Sequence, residues 1–158
     1  MSDGPHSREA EDQVLGCLLI QNEVYDRVVG LLRPEHFFFE AHRIIYAAIG
    51  AKIAAGELAN PITLKPNFDQ HPALSAHGDF NYLATLAANA ASIQDAEAYA
   101  AAVVDCANRR QLIETADIIR AMAVSGTAPD GSTDILAAAQ SIMGGIDPGA
   151  TKDRMLSL

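Results

Sequence analysis

The stretch from about Asp95 to Ser125 constrains this chain most. Its apolar residues recur at helical spacing, but on two stripes rather than one. Tyr99, Val103, Cys106 and Ile113 line the first, interrupted by Arg110; Leu112, Ala116, Ile119 and Ala123 line the second, with Met122 beside them. The segment "SGTAPDGST" then breaks the chain with Gly, Pro and Asp-Gly turn chemistry. Asp134 opens a last helix carrying Ile135, Ala138, Ala139 and Ile142 on one face, Leu136 and Met143 beside them, and Gly144-Gly145 at its end. Two antiparallel helices can bury one stripe each against one another, so the second stripe is surplus. Surplus apolar surface on an extended hairpin is the signature of a neighbouring chain that covers it. The alternative is a hairpin that folds back on the rest of the chain and hides everything internally.

The remainder is also helical in pattern, and no segment alternates like a strand. Ser7, followed by Arg8-Glu9-Ala10-Glu11-Asp12, is a helix start, a capping hydroxyl with carboxylates in the first turn. Asn22 is expected to cap a short second helix that Pro34 closes. A third runs through "EAHRIIYAAIGAKIAAG" to a stop at Gly56. A weak helix after Thr63 tolerates Pro66 only in its first turn, "HPALSAHGD" reads as loop, and "DFNYLATLAANA" as helix before Ser92 caps the long segment. The expected fold is all-α: a compact orthogonal bundle of short helices over 1–91, a long helical hairpin over 92–145, and the start of a linker over 146–158.

Composition narrows the function. The net charge is −9 with 11 Lys and Arg, whereas phosphate binding needs clustered cations; direct nucleic-acid binding is not expected. The aromatic knot Phe37-Phe38-Phe39 follows Pro34-Glu35 at a bend, and such rings bury about 150–250 Å² each, which suits a sealed corner of the core. A base-stacking platform would need flanking cations, and Glu35 and Glu40 flank it instead. His36, Glu40 and His42 have the composition of a metal site. But Glu40 and His42 are two apart, not at the i, i+4 spacing that puts ligands on one helix face. One histidine half-buried and the others solvated, His71 and His77 among them, is the plainer reading. Phosphate loops, dinucleotide fingerprints and nucleophile elbows are missing, and the carboxylates sit at caps and on exposed faces. Cys17 and Cys106 read as free buried thiols. With neither a secretory leader nor an apolar run of about 18 residues, the expected location is cytoplasmic.

Residues 5–143 resemble the N-terminal part of DnaB-type replicative DNA helicases. The resemblance is carried by Glu9-Ala10-Glu11, Val14-Leu15-Gly16, Pro34-Glu35-x-Phe37-Phe38, His42-Arg43-x-Ile45-Tyr46, Tyr82-Leu83-x-x-Leu86-Ala87 and Ala96-x-x-Tyr99-Ala100 in order and spacing. It implies an accessory domain without catalysis, whose hairpins pair across subunits into a collar, a trimer of dimers, on which the primase's C-terminal domain docks. ATP and Mg would belong to a RecA-like motor beyond a linker that "TKDRMLSL" would begin, so the chain reads as a fragment and needs no cofactor itself. Under this reading the interface consists of Leu112, Ala116, Ile119, Met122 and Ala123 on one helix and Ile135, Ala139 and Ile142 on the other. The partners would be a second copy and a primase or helicase loader, with no membrane. "NPITLKPNFDQHP", weakened by Pro66, and Gln111 depart from the family pattern. A stand-alone adaptor or inhibitor that binds a helicase, loader or primase is the alternative, and a metal enzyme built on His36, His42 or His77 a third.

Overall fold

The structure, a computed structural model, describes residues 4–69, 71–75 and 80–146. Among these the regular elements are all helical: α1 (Arg8–Ile20), α2 (Val24–Val28), a 3-10 turn (Pro34–His36), α3 (Glu40–Ala54), α4 (Pro61–Phe68), α5 (Pro72–Ser75), α6 (Phe80–Ala88), a second 3-10 turn (Ile93–Asp95), α7 (Ala96–Ser125) and α8 (Ile135–Gly144). The all-α expectation therefore holds. The chain divides into two compact units, His6–Val104 and a second made of Met1–Pro5 with Asp105–Leu158. The division falls inside α7 rather than before it, and the first turns of α7 bury Ala96, Ala100, Val103 and Val104. The stretch expected to be a linker lies outside the described residues from position 147 onward.

In the bundle unit, α1 is the axis. The Ser7 side chain accepts from Ala10 N at 3.2 Å, as its capping position predicts. Val14, Leu15, Cys17 and Leu18 are fully buried. Gly16 explains its place in the sequence by space: a Cβ there would run into the Leu86 carbonyl oxygen and lie 3.1 Å from Ala90 Cβ. Absence of a side chain lets α1 and α6 approach at backbone distance. Gln13 fastens the same seam, donating from Nε2 to Asn89 O and accepting from Ala91 N, both at 2.9 Å.

Several local expectations need correction. Asn22 does not cap α2, whose N-cap is Glu23. Its amide instead donates to Leu18 O (2.8 Å) and Ala59 O (2.7 Å) and accepts from Ala59 N (2.9 Å), tying the α1–α2 corner to the chain ahead of α4. Pro66 lies inside α4 past the first turn. The helix survives because its start is doubly secured. Asn60 Oδ1 accepts from Ile62 N and Thr63 N, Thr63 Oγ1 accepts from Asn60 N, and Pro61 occupies the first helical position. Part of "HPALSAHGD" is the short helix α5 rather than loop. Ser92 precedes a 3-10 turn and makes no side-chain cap there. Gly56 does end α3, in the left-handed region at φ +75°.

The phenylalanine corner forms as predicted at its centre. Phe37 is buried against Tyr46 (ring centroids 5.2 Å apart), and the Tyr46 hydroxyl donates to Leu32 O at 2.6 Å. Phe38 and Phe39 are half-buried and edge-on to each other; the His6 ring stacks on Phe38 at 4.0 Å, and the Arg8 guanidinium lies over Phe39.

Candidate functional site

Two arrangements stand out, one in each unit. In the bundle unit a cluster of ionisable groups is buried where α1, α3 and α6 meet. Glu11 and His42 are both about 1% exposed. His42 Nδ1 lies 2.8 Å from Glu11 Oε1, and Glu11 Oε2 accepts from Phe38 N at 3.0 Å. On the other edge of the imidazole, Nε2 is hydrogen-bonded to the Tyr82 hydroxyl and is 3.3 Å from Asp12 Oδ1, a buried oxygen without a well-directed donor of its own. Burial by itself would push the imidazole pKa down; the carboxylates of Asp12 and Glu11 outweigh it and hold it above the ordinary 6.5. Burial, with Asp12 second, pushes the Tyr82 phenol up to about 12.

This cluster was missed in the sequence. Glu11 reads as a first-turn carboxylate, and by position it is one, yet it is buried. His36 is buried as well as His42, against the expectation of one half-buried histidine: its Nδ1 accepts from Arg33 N at 2.9 Å inside the 3-10 turn. His71 is half-buried, and His77 lies outside the described residues. Glu40 is exposed and takes no part with His42. Among the described residues no group of three His, Cys, Asp or Glu side chains is placed to hold a metal. Cys17 is buried, with burial raising its thiol pKa, and Cys106 is half-buried; both are free.

In the hairpin unit, α7 from Asp105 and α8 are joined by a turn that Gly126 (φ +75°) and Gly131 (φ +88°) make possible. Ala128 N donates to Ser132 O and Gly131 N to Ala128 O, both at 2.9 Å. Asp134 caps α8 through Ala137 N, as expected. Arg110, which interrupts one apolar stripe, has a use of its own: its Nη1 donates to Pro5 O at 2.7 Å.

Of the predicted interface residues, Leu112, Ala116 and Ala123 are exposed on α7, Ile119 is half-buried at the edge of that stripe, and Ile135, Ala139 and Ile142 are half-buried on α8. Met122 departs from the set. It is 2% exposed, because at about 100° per residue it lies a quarter turn round from the stripe, on the face that also buries Thr115. Sequence reasoning passed over Val124, the most exposed large apolar side chain here at 83%, and placed Leu136 (72%) and Met143 (52%) at the margin although they are more exposed than the residues it chose on α8. No described helix is long and apolar enough to cross a membrane.

Comparison with known proteins bears on both units. Residues 3–105 match the family model of the DnaB-like helicase N-terminal domain. Replicative DNA helicase DnaB of Buchnera aphidicola (subsp. Schizaphis graminum) is 38% identical over 88 residues, 56% of this chain and 19% of that protein. The Pasteurella multocida protein of the same name is 34% identical over 113 residues, 72% of this chain and 24% of its own length. This chain thus spans about a quarter or less of the curated relatives it matches. The crystal structure of the N-terminal domain of DnaB helicase from Mycobacterium tuberculosis superposes with a TM-score of 0.78 at 28% identity, covering 88% of this chain and 97% of that one. Since 88% of 158 residues exceeds the span of the family model, that likeness reaches into the hairpin. A solved DnaB-like replicative helicase, described with its interactions with primase, shares the fold at TM-score 0.69 and 24% identity, covering 96% of this chain and 35% of its own.

Proposed function

This chain belongs to the family of DnaB-like helicase N-terminal domains, and we propose that it acts as a non-catalytic module that pairs copies of a replicative helicase and receives primase. One observation carries the reading. Among the described residues, the hairpin unit buries only Met122, Ala128 and Thr115, while Leu112, Ile113, Val124, Leu136 and Met143 stay largely exposed. An apolar surface larger than the core beneath it is what a subunit interface looks like before it closes. The hairpin stripe of Leu112, Ala116, Ile119 and Ala123, with Ile135, Ala139 and Ile142, pairs subunits. Val124, Leu136 and Met143 widen that surface. Primase docking is carried over from the helicase described with primase, on the likeness of fold. ATP hydrolysis and unwinding belong to the parent helicase, and this domain needs no cofactor of its own.

Sedimentation equilibrium of the chain, with Leu112→Asp beside it, is the test. Leu112 is 49% exposed, so the substitution spares the fold of one chain but places a carboxylate in an apolar interface, which costs several kcal/mol unless it is paired. Dimers or larger species that dissociate in the variant, at unchanged helicity, are expected. A wild-type chain that sediments as a monomer, or an assembly that Leu112→Asp leaves intact, refutes the reading.

A further inference from the structure

We propose that His42 is carried as an imidazolium and serves as the counter-ion that keeps Glu11 buried, so that loss of its proton loosens the junction of α1, α3 and α6. The geometry is that of a closed ionic latch. Glu11, 1% exposed, has one oxygen on the Phe38 N–H and the other 2.8 Å from His42 Nδ1. A carboxylate so placed loses far more hydration than one backbone donor restores, and a cation in contact with it offsets that loss. His42 is in contact with it and 1% exposed itself.

The groups that face the imidazole come from each packed element. From α1 come Glu11 and Asp12, with Arg8 behind Asp12 at 3.9 Å; from α6 comes the Tyr82 hydroxyl; the phenylalanine corner presents the rings of Phe37 and Phe39. The Arg8 charge sits on the outer oxygen of Asp12, and its side chain is 46% exposed, so solvent screens it from Glu11. When His42 loses its proton, Nε2 accepts from Tyr82 and keeps that hydrogen bond, but Glu11 is left without its compensating charge. Asp12, one-third exposed, can turn to water; Glu11 cannot without opening the corner at Phe38. The switch is therefore electrostatic, and its mechanical consequence falls on the attachment of α1 to α3.

The folded pKa is raised, so the contribution is complete below the unfolded value of about 6.5 and is lost as pH rises through the folded value. The test pairs NMR titration of the His42 ring with thermal unfolding from pH 6 to 9. Wild-type His42 is expected to titrate above 6.5, and Asp12→Asn, which keeps shape and removes one neighbouring charge, to lower that midpoint. The wild-type Tm should fall across the alkaline limb more steeply than that of His42→Gln, and amide exchange at Phe38 should quicken over the same range. Should His42→Gln fail to fold, the midpoints of wild type and Asp12→Asn and the Phe38 exchange decide the matter alone. A wild-type midpoint at or below 6.5, a midpoint unmoved by Asp12→Asn, or Phe38 exchange without an added opening step above that midpoint overturns the proposal.

Discussion

Asn22→Ala isolates one tether whose energetic weight can be worked from the structure. The side chain makes three hydrogen bonds, and two of their partners are the N–H and C=O of Ala59, a residue with no exposed surface. A buried backbone group stripped of its partner costs about 1–3 kcal/mol. The third partner, Leu18 O, sits in the last turn of α1 on a residue that is itself fully buried, so it loses its donor as well. Three such groups at the low end of that range give an expected loss of at least about 3 kcal/mol, a large fraction of the roughly 5–15 kcal/mol that holds a domain folded. For a chain of this size that corresponds to a fall in Tm of at least roughly 6–12 °C. Urea unfolding followed by far-UV circular dichroism measures it, with an unchanged m-value to show that the denatured state is not responsible. Asn22→Asp serves as the control. It retains the acceptor for Ala59 N but turns a carboxylate toward two carbonyl oxygens, so it should destabilise at least as much as alanine. A loss under about 0.5 kcal/mol for Asn22→Ala, or a milder effect for aspartate than for alanine, would show that water replaces the tether and that the accounting is wrong.

Two further substitutions probe the bundle. Gly16→Ala gains up to about 1 kcal/mol of helix propensity, but its methyl meets the backbone of α6 at Leu86; a net loss of about 1–3 kcal/mol is expected from overpacking, read by chemical unfolding, and a stabilised variant would contradict the close approach of α1 and α6. Tyr46→Phe removes the 2.6 Å bond to Leu32 O while keeping the ring against Phe37, and should cost about 1–2 kcal/mol in the same assay.

What the sequence disclosed, and what it withheld, follows from the range of the interactions. Ser7 and Asp134 were legible as caps because their bonds close within three residues, to Ala10 and Ala137. Gly56 was legible because a left-handed residue after a helix has few other uses. Asn22 has the composition of a cap, and nothing local reveals that its partner is Ala59, 37 residues on. The same holds for Glu11 and His42, 31 apart, and for His42 and Tyr82, 40 apart. Glu11 is a case where one position satisfies two rules: a carboxylate in the first turn complements the helix dipole, so its burial leaves no trace in the pattern. On α7 the two apolar stripes were visible, but Met122, read as lying beside the second, falls across its border on a separate face that also buries Thr115, and that border is drawn by what packs there.

That border bears on why the hairpin exists. The first turns of α7 are nucleated inside the bundle, where Ala96, Ala100, Val103 and Val104 are buried, so the costly step of helix initiation is already met when the chain reaches Asp105. Beyond that point each residue need only propagate. For α8 the situation is different: with 10 residues it is shorter than the roughly 12–15 that stand alone in water, and its order depends on tertiary cover. Among the described residues of the hairpin unit the buried apolar side chains are Met122 and Ala128, and burying a methionine yields only about 1.5–3 kcal/mol against about 1–2 kcal/mol of backbone entropy for each residue fixed. An apolar helix face left half-buried in one chain, as at Ile135, Ala139 and Ile142, gains further cover when a second chain is laid on it. Under the proposed pairing, ordering of α8 and association of subunits are coupled, so a change that weakens pairing should also raise amide exchange throughout α8 while leaving α1 and α3 protected.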